Sequence, residues 1–310
     1  MRVLVTGGAG FIGANLSRRL IGDGHAVVVL DNLSSGFRSN LSGLHLDLRV
    51  ADILDLDALR AATKGVDTIV HLAAQGSVPR SIEDPWLTHA VNVDGTMNVL
   101  LAARREGAHI IYSSSSSVYG ADQALPKRET MHARPQSPYA VSKLSSESYV
   151  LAFQHVYGIP ALVFRFFNVY GPLQSAGHAY AAVVPAFLEA LLADKPLTVY
   201  GDGQQSRDFT SVDTIVGVLA EAVNRRVRSD DAVNLAFGSR TSLLELIALL
   251  EQVSSRRAVV THVPERPGDV RASQADNTRL LALFPDAAPQ DLCVGLRTTL
   301  DWFQTARRQQ

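Results

Sequence analysis

The chain predicts an α/β fold: a doubly wound parallel sheet, with a smaller mixed α/β part behind it. Three observations predict it. Strand-like and helix-like segments alternate through the first half. The first apolar run ends in glycines that open a helix. An acidic residue, Asp31, closes the second apolar run.

The elements follow in order. Residues 3–6 form a short apolar run ended by glycines, and 12–23 carry helical spacing. Residues 26–30 are rich in valine and read as a strand. A helix is expected over 56–63, a strand over 68–72 and a long helix over 88–105. The strand 109–113, the helix 140–156 and the strand 161–166 complete the alternation. Strands separated by helices give a parallel sheet covered on both faces. After about residue 168 turn signals crowd in: Gly171-Pro172, Gly177, Gly201-Asp202-Gly203 and Arg266-Pro267-Gly268. That part reads as smaller and loop-rich, with helices expected over 210–226 and 241–253.

With 310 residues, 46% of them apolar, one large domain or two closely joined ones can form a core. The formal net charge is −1 and the basic residues are scattered, so nucleic acid and anionic membrane surfaces are not expected partners. A single cysteine, Cys293, cannot form an intramolecular disulfide. No secretory pattern opens the chain and no apolar run nears the roughly 20 residues of a membrane span, so a cytoplasmic protein is expected. The nine histidines are spread singly, without metal-ligand spacing, and no metal is expected.

The glycine turn is Thr6-Gly7-Gly8-Ala9-Gly10-Phe11-Ile12-Gly13. Glycines let backbone approach a pyrophosphate closely, and a helix start offers unpaired N–H groups and a positive dipole end. Gly8, Gly10 and Gly13 fit the dinucleotide fingerprint of a Rossmann-type sheet, and its strand–turn–helix setting gives the pattern its weight. Asp31 suits a ribose with free hydroxyls and disfavours a 2′-phosphate, so the expected cofactor is NAD. Asp52 and Ile53, after a third strand, are placed to hold an adenine ring or simply to end that strand. Residues 1–168 are therefore the expected NAD-binding domain, with returning segments from about 205–235, and 169–310 the substrate domain. Ligands are expected in the cleft between them.

Tyr139 and Lys143 stand four apart at the start of a predicted helix, which puts both on one face. A phenol with an ordinary pKa near ~10 is a poor base at neutral pH. A neighbouring ammonium lowers it and lets the pair exchange protons as base and acid. The run Ser113-Ser114-Ser115-Ser116-Ser117 ends a strand, where a hydroxyl can bond a substrate oxygen.

Together these features resemble the extended short-chain dehydrogenase/reductase family, in its nucleotide-sugar epimerase/dehydratase branch. His71-Leu72-Ala73-Ala74, Ser115-Ser116-Ser117-Val118-Tyr119-Gly120 and Arg165-Phe166-Phe167-Asn168-Val169-Tyr170-Gly171-Pro172 look like its signatures, in the family's order. The resemblance implies a catalytic set of Ser115, Tyr139 and Lys143, with Ser116 the second candidate for the hydroxyl. It implies NAD contacts from Gly7, Gly10, Phe11, Ile12, Gly13, Asp31, Asn32, Ser34, Gly36, Asp52 and Ile53. Leu72, Ala73, Ala74, Asn92, Ser113, Tyr139, Lys143 and Phe166 complete that cofactor set. It also implies a homodimer paired through helices near 88–105 and 140–156.

Within the branch, Ser116-Ser117 stands where sugar dehydratases carry Asp-Glu, so the chain is most similar to 4-epimerases of UDP-hexoses. For the nucleotide end the resemblance implies Asn168, Arg207 and Arg266 near the phosphates, and Thr198 and Tyr200 near uracil. Ala182, Val183 and Asp269 complete the substrate-binding set. Gln75–Ser81, the Gln174 region and 179–185 look most like UDP-N-acetylhexosamine 4-epimerases. Ser273 would leave room for an N-acetyl group that galactose-restricted members fill with an aromatic ring. Gly76, Ser77 and Gln174 would line that space. UDP-glucose 4-epimerase, UDP-glucuronate 4-epimerase or decarboxylase and, outside enzymes, a silent NAD-binding regulator remain the alternatives.

Overall fold

The computed structural model describes residues 1–176, 182–265 and 270–308. The first half runs β1 (Arg2–Thr6), α1 (Phe11–Gly22), β2 (Ala26–Asp31), β3 (Asp47–Val50), α2 (Leu56–Thr63) and β4 (Thr68–His71). It continues with α3 (Val78–Glu83), α4 (Pro85–His89), α5 (Gly95–Glu106), β5 (His109–Ser115), α6 (Pro138–Tyr157) and β6 (Ala161–Phe166). Then come β7 (Asn168–Tyr170), α7 (Val183–Leu192), β8 (Leu197–Tyr200), β9 (Ser206–Arg207), β10 (Phe209–Ser211) and α8 (Val212–Arg225). The last elements are β11 (Val233–Leu235), β12 (Thr241–Ser242), α9 (Leu243–Ser254), β13 (Val260–Val263), α10 (Thr278–Leu283) and α11 (Leu292–Arg308).

Seven strands form one parallel sheet in the order β11-β6-β5-β4-β1-β2-β3. This is the doubly wound Rossmann-type α/β fold. Alternation within β1 sets the two cores: Val3 and Val5 face α1 and α8, while Leu4 faces the side of α2, α5 and α6. The chain leaves β1 toward β2 on one side and returns through β4 on the other. That reversal opens a crevice at the carboxyl ends of β1 and β4.

The predicted helix 88–105 is not uniform. α4 passes through a π-helical turn at Ala90–Asp94 before α5 begins. Such turns displace a side chain from the regular spiral, and here the displaced turn carries Asn92.

The part after residue 168 is helix-rich rather than loop-rich. α7, α9 and α11 pack around Leu188, Leu246, Leu250, Leu296 and Leu300 as a core of their own. Leu292, Leu296, Leu300 and Phe303 lie on one face of α11. Of the turn signals, Gly171-Pro172 and Gly201-Asp202-Gly203 lie outside these helices and do not interrupt them, while Gly177 and Arg266-Pro267-Gly268 fall outside the described residues. Among the described residues no helix is long and apolar enough to cross a membrane.

Candidate active site

The glycine turn lies in the crevice. Gly7 has φ +70, and a Cβ on it would lie 2.7 Å from the Ala73 nitrogen at the end of β4. A Cβ on Gly13 would lie 2.3 Å from the Gly7 oxygen, so α1 can approach the turn only through a glycine. α1 starts at Gly10 with no side-chain cap and no acidic residue in its first turn. Phe11, Ile12 and Gly13 thus present a positive helix end to an anion.

The Asp31 carboxylate accepts from Ala9 N (2.9 Å) and Leu33 N (2.8 Å), which docks the loop after β2 against the turn. Buried Gly36 sits in that loop, and Phe37 N donates to Ala9 O at 3.0 Å. Asn32 donates to Asp52 Oδ2 (2.8 Å) and accepts from Ser34 N (3.0 Å). Ile53 is buried behind Asp52. Leu72 N donates to Thr6 O (3.1 Å), so 72–74 run beside the turn. Phe166 is buried at the end of β6, in register with Ser115. This open helix end, small-residue turn and ribose-side carboxylate fit NAD.

The five serines are not equivalent. Ser113 donates to His71 O (3.1 Å), and Ser114 donates to Glu147 Oε2 (2.6 Å). Ser115 Oγ accepts from both the backbone N–H (3.2 Å) and the hydroxyl (2.9 Å) of Ser117. Ser115 and Tyr139 line one chamber, and the Ser115 hydroxyl is the group that favours the ionised phenol.

Ser137 caps α6 by accepting from Ala140 N (3.1 Å), and Pro138 occupies the first turn. Tyr139, Lys143 and Glu147 then fall on one face, four residues apart. Lys143 is buried, with Nζ 4.7 Å from the centre of the Tyr112 ring. Burial pulls its ammonium down to about 7, against the attraction of Glu147. Burial pushes the Tyr139 phenol above its ordinary value, against the Ser115 hydrogen bond. This corrects the expectation of a lowered phenol. In the protein alone, desolvation of the phenol outweighs the help it receives from the Ser115 hydroxyl.

Asn92 supports this face. Its Oδ1 accepts from Gln75 N (2.7 Å) and its Nδ2 donates to Ser142 Oγ (2.9 Å).

Two chambers meet in front of these groups. One, of about 400 Å³, is lined by Ser115, Ser116, Tyr139 and Ser273. The other, of about 920 Å³, is lined by Gln174, Ala182, Val183, Thr198 and Tyr200. Asn168 and Arg207 line both, as do Val78 and Phe167. Apart from Gln174, the expected nucleotide and sugar residues that line these chambers sort between the two, with Asn168 and Arg207 at their junction.

The profile of the NAD-dependent epimerase/dehydratase family matches residues 3–236. This chain belongs to that family. It is 39% identical to a UDP-glucose 4-epimerase of Mycolicibacterium smegmatis, over 98% of this chain and 99% of that one. A UDP-N-acetylglucosamine 4-epimerase of Methanobrevibacter ruminantium, solved with UDP-N-acetylmuramic acid, superposes with TM-score 0.93 at 35% identity, covering 98% of each chain. The Thermus thermophilus UDP-glucose 4-epimerase, solved with NAD, gives TM-score 0.91 at 33% identity over 99% and 100%. This family member is an NAD-dependent enzyme.

Not every expected residue comes together. Gln174 lines the larger chamber, not that of Ser273; its amide donates back to Val169 O of β7 (3.1 Å). Gly76 and Ser77 line neither chamber; Ser77 caps α3, accepting from Arg80 N (3.3 Å), and Val78 reaches the cleft instead. Arg266 and Asp269 lie outside the described residues, as do 179–181. Glu147, Arg165 and Ser117 also take part in this site and were not among the expected site residues. Glu147 was legible in its spacing of four from Lys143; Arg165 and Ser117 carried no signal beyond the family signature.

Proposed function

We propose that this enzyme interconverts UDP-N-acetylglucosamine and UDP-N-acetylgalactosamine at C4, and also turns over UDP-glucose and UDP-galactose. The coarser statement is that of its family: it is an NAD-dependent nucleotide-sugar 4-epimerase. The observation that carries the finer one is the small hydroxyl of Ser273 in the wall of the chamber that holds Ser115 and Tyr139. An aromatic ring there would take the space of a C2 substituent. With Gly76, Ser77 and Gln174 elsewhere, Ser116 and Ser273 are the acetamido partners that this reading retains.

Bound at the glycine turn, NAD supplies a reversible hydride acceptor for the sugar C4. Tyr139 Oη takes the proton of the 4-hydroxyl, and Ser115 Oγ holds O4. Lys143 Nζ stabilises the charge that develops on the phenol. After the 4-keto sugar turns over between the chambers, Tyr139 returns the same proton from its Oη. Asn168 and Arg207, at the junction, keep the pyrophosphate fixed while the hexose moves; guanidinium forks suit phosphate oxygens.

The same reading includes a cytoplasmic homodimer. Its support is an exposed apolar face on α3 to α6: Ile82, Trp86, Leu101, Val141, Tyr149 and Val156. Light scattering should give twice the chain mass of 33.4 kDa.

The test of substrate is incubation of the purified protein with UDP-N-acetylglucosamine and with UDP-glucose, each without added NAD. Both C4 epimers are expected. An epimer from UDP-glucose alone would sink the acetamido reading. Ser273→Tyr should abolish turnover of the acetylated sugar and leave that of UDP-glucose within a few-fold.

A further inference from the structure

Glu147 is a carboxylate in the interior, 3% exposed, in a position that the chemistry above does not use. It joins three elements. Its Oε1 accepts from Arg165 Nη2 of β6 (2.6 Å), and its Oε2 accepts from Arg165 Nε (3.2 Å) and from the Ser114 hydroxyl of β5 (2.6 Å). Arg165 is itself buried, with its guanidinium 4.9 Å from the centre of the Tyr119 ring. Burying an ion pair is costly and is repaid only when its geometry is held well. Two apolar side chains would fill the same space, so the pair's location is informative.

That location is between the groups of the reaction. Ser114 precedes Ser115 on β5. Lys143 lies one turn before Glu147 on α6, and Tyr139 one turn before that. The titratable and charged groups that face Lys143 are Tyr139 and Glu147 of its own helix, Tyr112 of β5 and His71 of β4, with Arg165 of β6 behind Glu147. His71 is held neutral by burial, down to about 3. Glu147 is thus the anion that Lys143 feels, and Arg165 is the cation paired with it.

We propose that Glu147 is a positioning residue: clasped by Arg165 and Ser114, it locks the end of β5 to α6, so that Ser115 meets Tyr139, and steadies the Lys143 ammonium. This rests on the catalytic set proposed above. Arg165 is the second half of the device. Without it, Glu147 would be free to pair with Lys143 directly and draw the ammonium away from the phenol.

The test is the pH profile of kcat with UDP-glucose, together with the NAD content of each purified variant. In Glu147→Gln the alkaline limb should move down by at least half a pH unit and kcat should fall at least tenfold. NAD content should be retained. The double variant Glu147→Gln with Arg165→Gln removes both charges and should move the limb less. Ser114→Ala should lower kcat several-fold with the limb unmoved. A folded, NAD-loaded Glu147→Gln with the wild-type limb and kcat would overturn the proposal. If that variant does not fold, a folded double variant with wild-type kcat and limb overturns it equally. Tyr139→Phe separates the two claims: full activity there defeats the catalytic set itself. An inactive Tyr139→Phe beside unaltered Glu147 variants defeats only the role of Glu147.

Discussion

Replacing Gly13 by alanine tests the cofactor cradle most directly. The added Cβ would lie 2.3 Å from the Gly7 oxygen and 2.6 Å from the Gly8 Cα. Ordinary van der Waals contact begins at 3.4 Å, so the turn must open by about an ångström. The colliding atoms are backbone and cannot swing aside as a side chain would. Overpacking of this kind costs about 1–3 kcal/mol. If that strain falls on the NAD-bound form, affinity drops about 5- to 150-fold. The assay is the NAD released on denaturing protein purified without added cofactor, followed by titration of the stripped protein. Gly22→Ala, on the same helix with nothing within 4 Å of its Cβ, is the matched control. It should keep its NAD and gain about 0.5–1 kcal/mol of stability in urea unfolding. Folded Gly13→Ala with wild-type NAD content and affinity would refute the reasoning.

Three further outcomes follow from the same geometry. Tyr139→Phe keeps the ring and removes the proton carrier, so NAD should stay bound while kcat falls about 10²- to 10⁴-fold. Asn92→Ala leaves Gln75 N without its acceptor and should cost about 1–3 kcal/mol in urea unfolding. His71 and His109 are buried and held below the ordinary histidine value, to about 3 and about 4. The unfolded chain therefore takes up protons first as pH falls below 6.5. Stability present above pH 6.5 is lost progressively down to about 4 and 3. Urea midpoints at pH 7 and pH 5 should differ less in His109→Gln than in the wild type; an equal difference would exclude His109 from the effect.

Much of the sheet was legible in the chain. The strands β1, β2, β4, β5 and β6 and helices α1, α2, α6, α8 and α9 fall within a few residues of their expected spans, because each carries a strong period or a strong punctuation mark. The helix α11 is equally periodic, with Leu292, Leu296, Leu300 and Phe303 on one face, and was not among the expected elements. The π-helical turn at Asn92 left no local mark; it depends on how α4 and α5 pack against α6.

For the site, the sequence by itself determined the residue types and their order. The glycine turn, Asp31, the Tyr139–Lys143 spacing and the serine run are local patterns, read over a few residues each. Only the tertiary structure decided which serines face the chamber of Tyr139: Ser113 and Ser114 are held by the His71 oxygen and by Glu147, while Ser115, Ser116 and Ser117 line it. It also decided the protonation balance. Desolvation depends on how much protein surrounds a group, and spacing along a helix does not reveal that. The division into two chambers is tertiary for the same reason: it put Ser273 in the chamber of Tyr139 and Gln174 in the other.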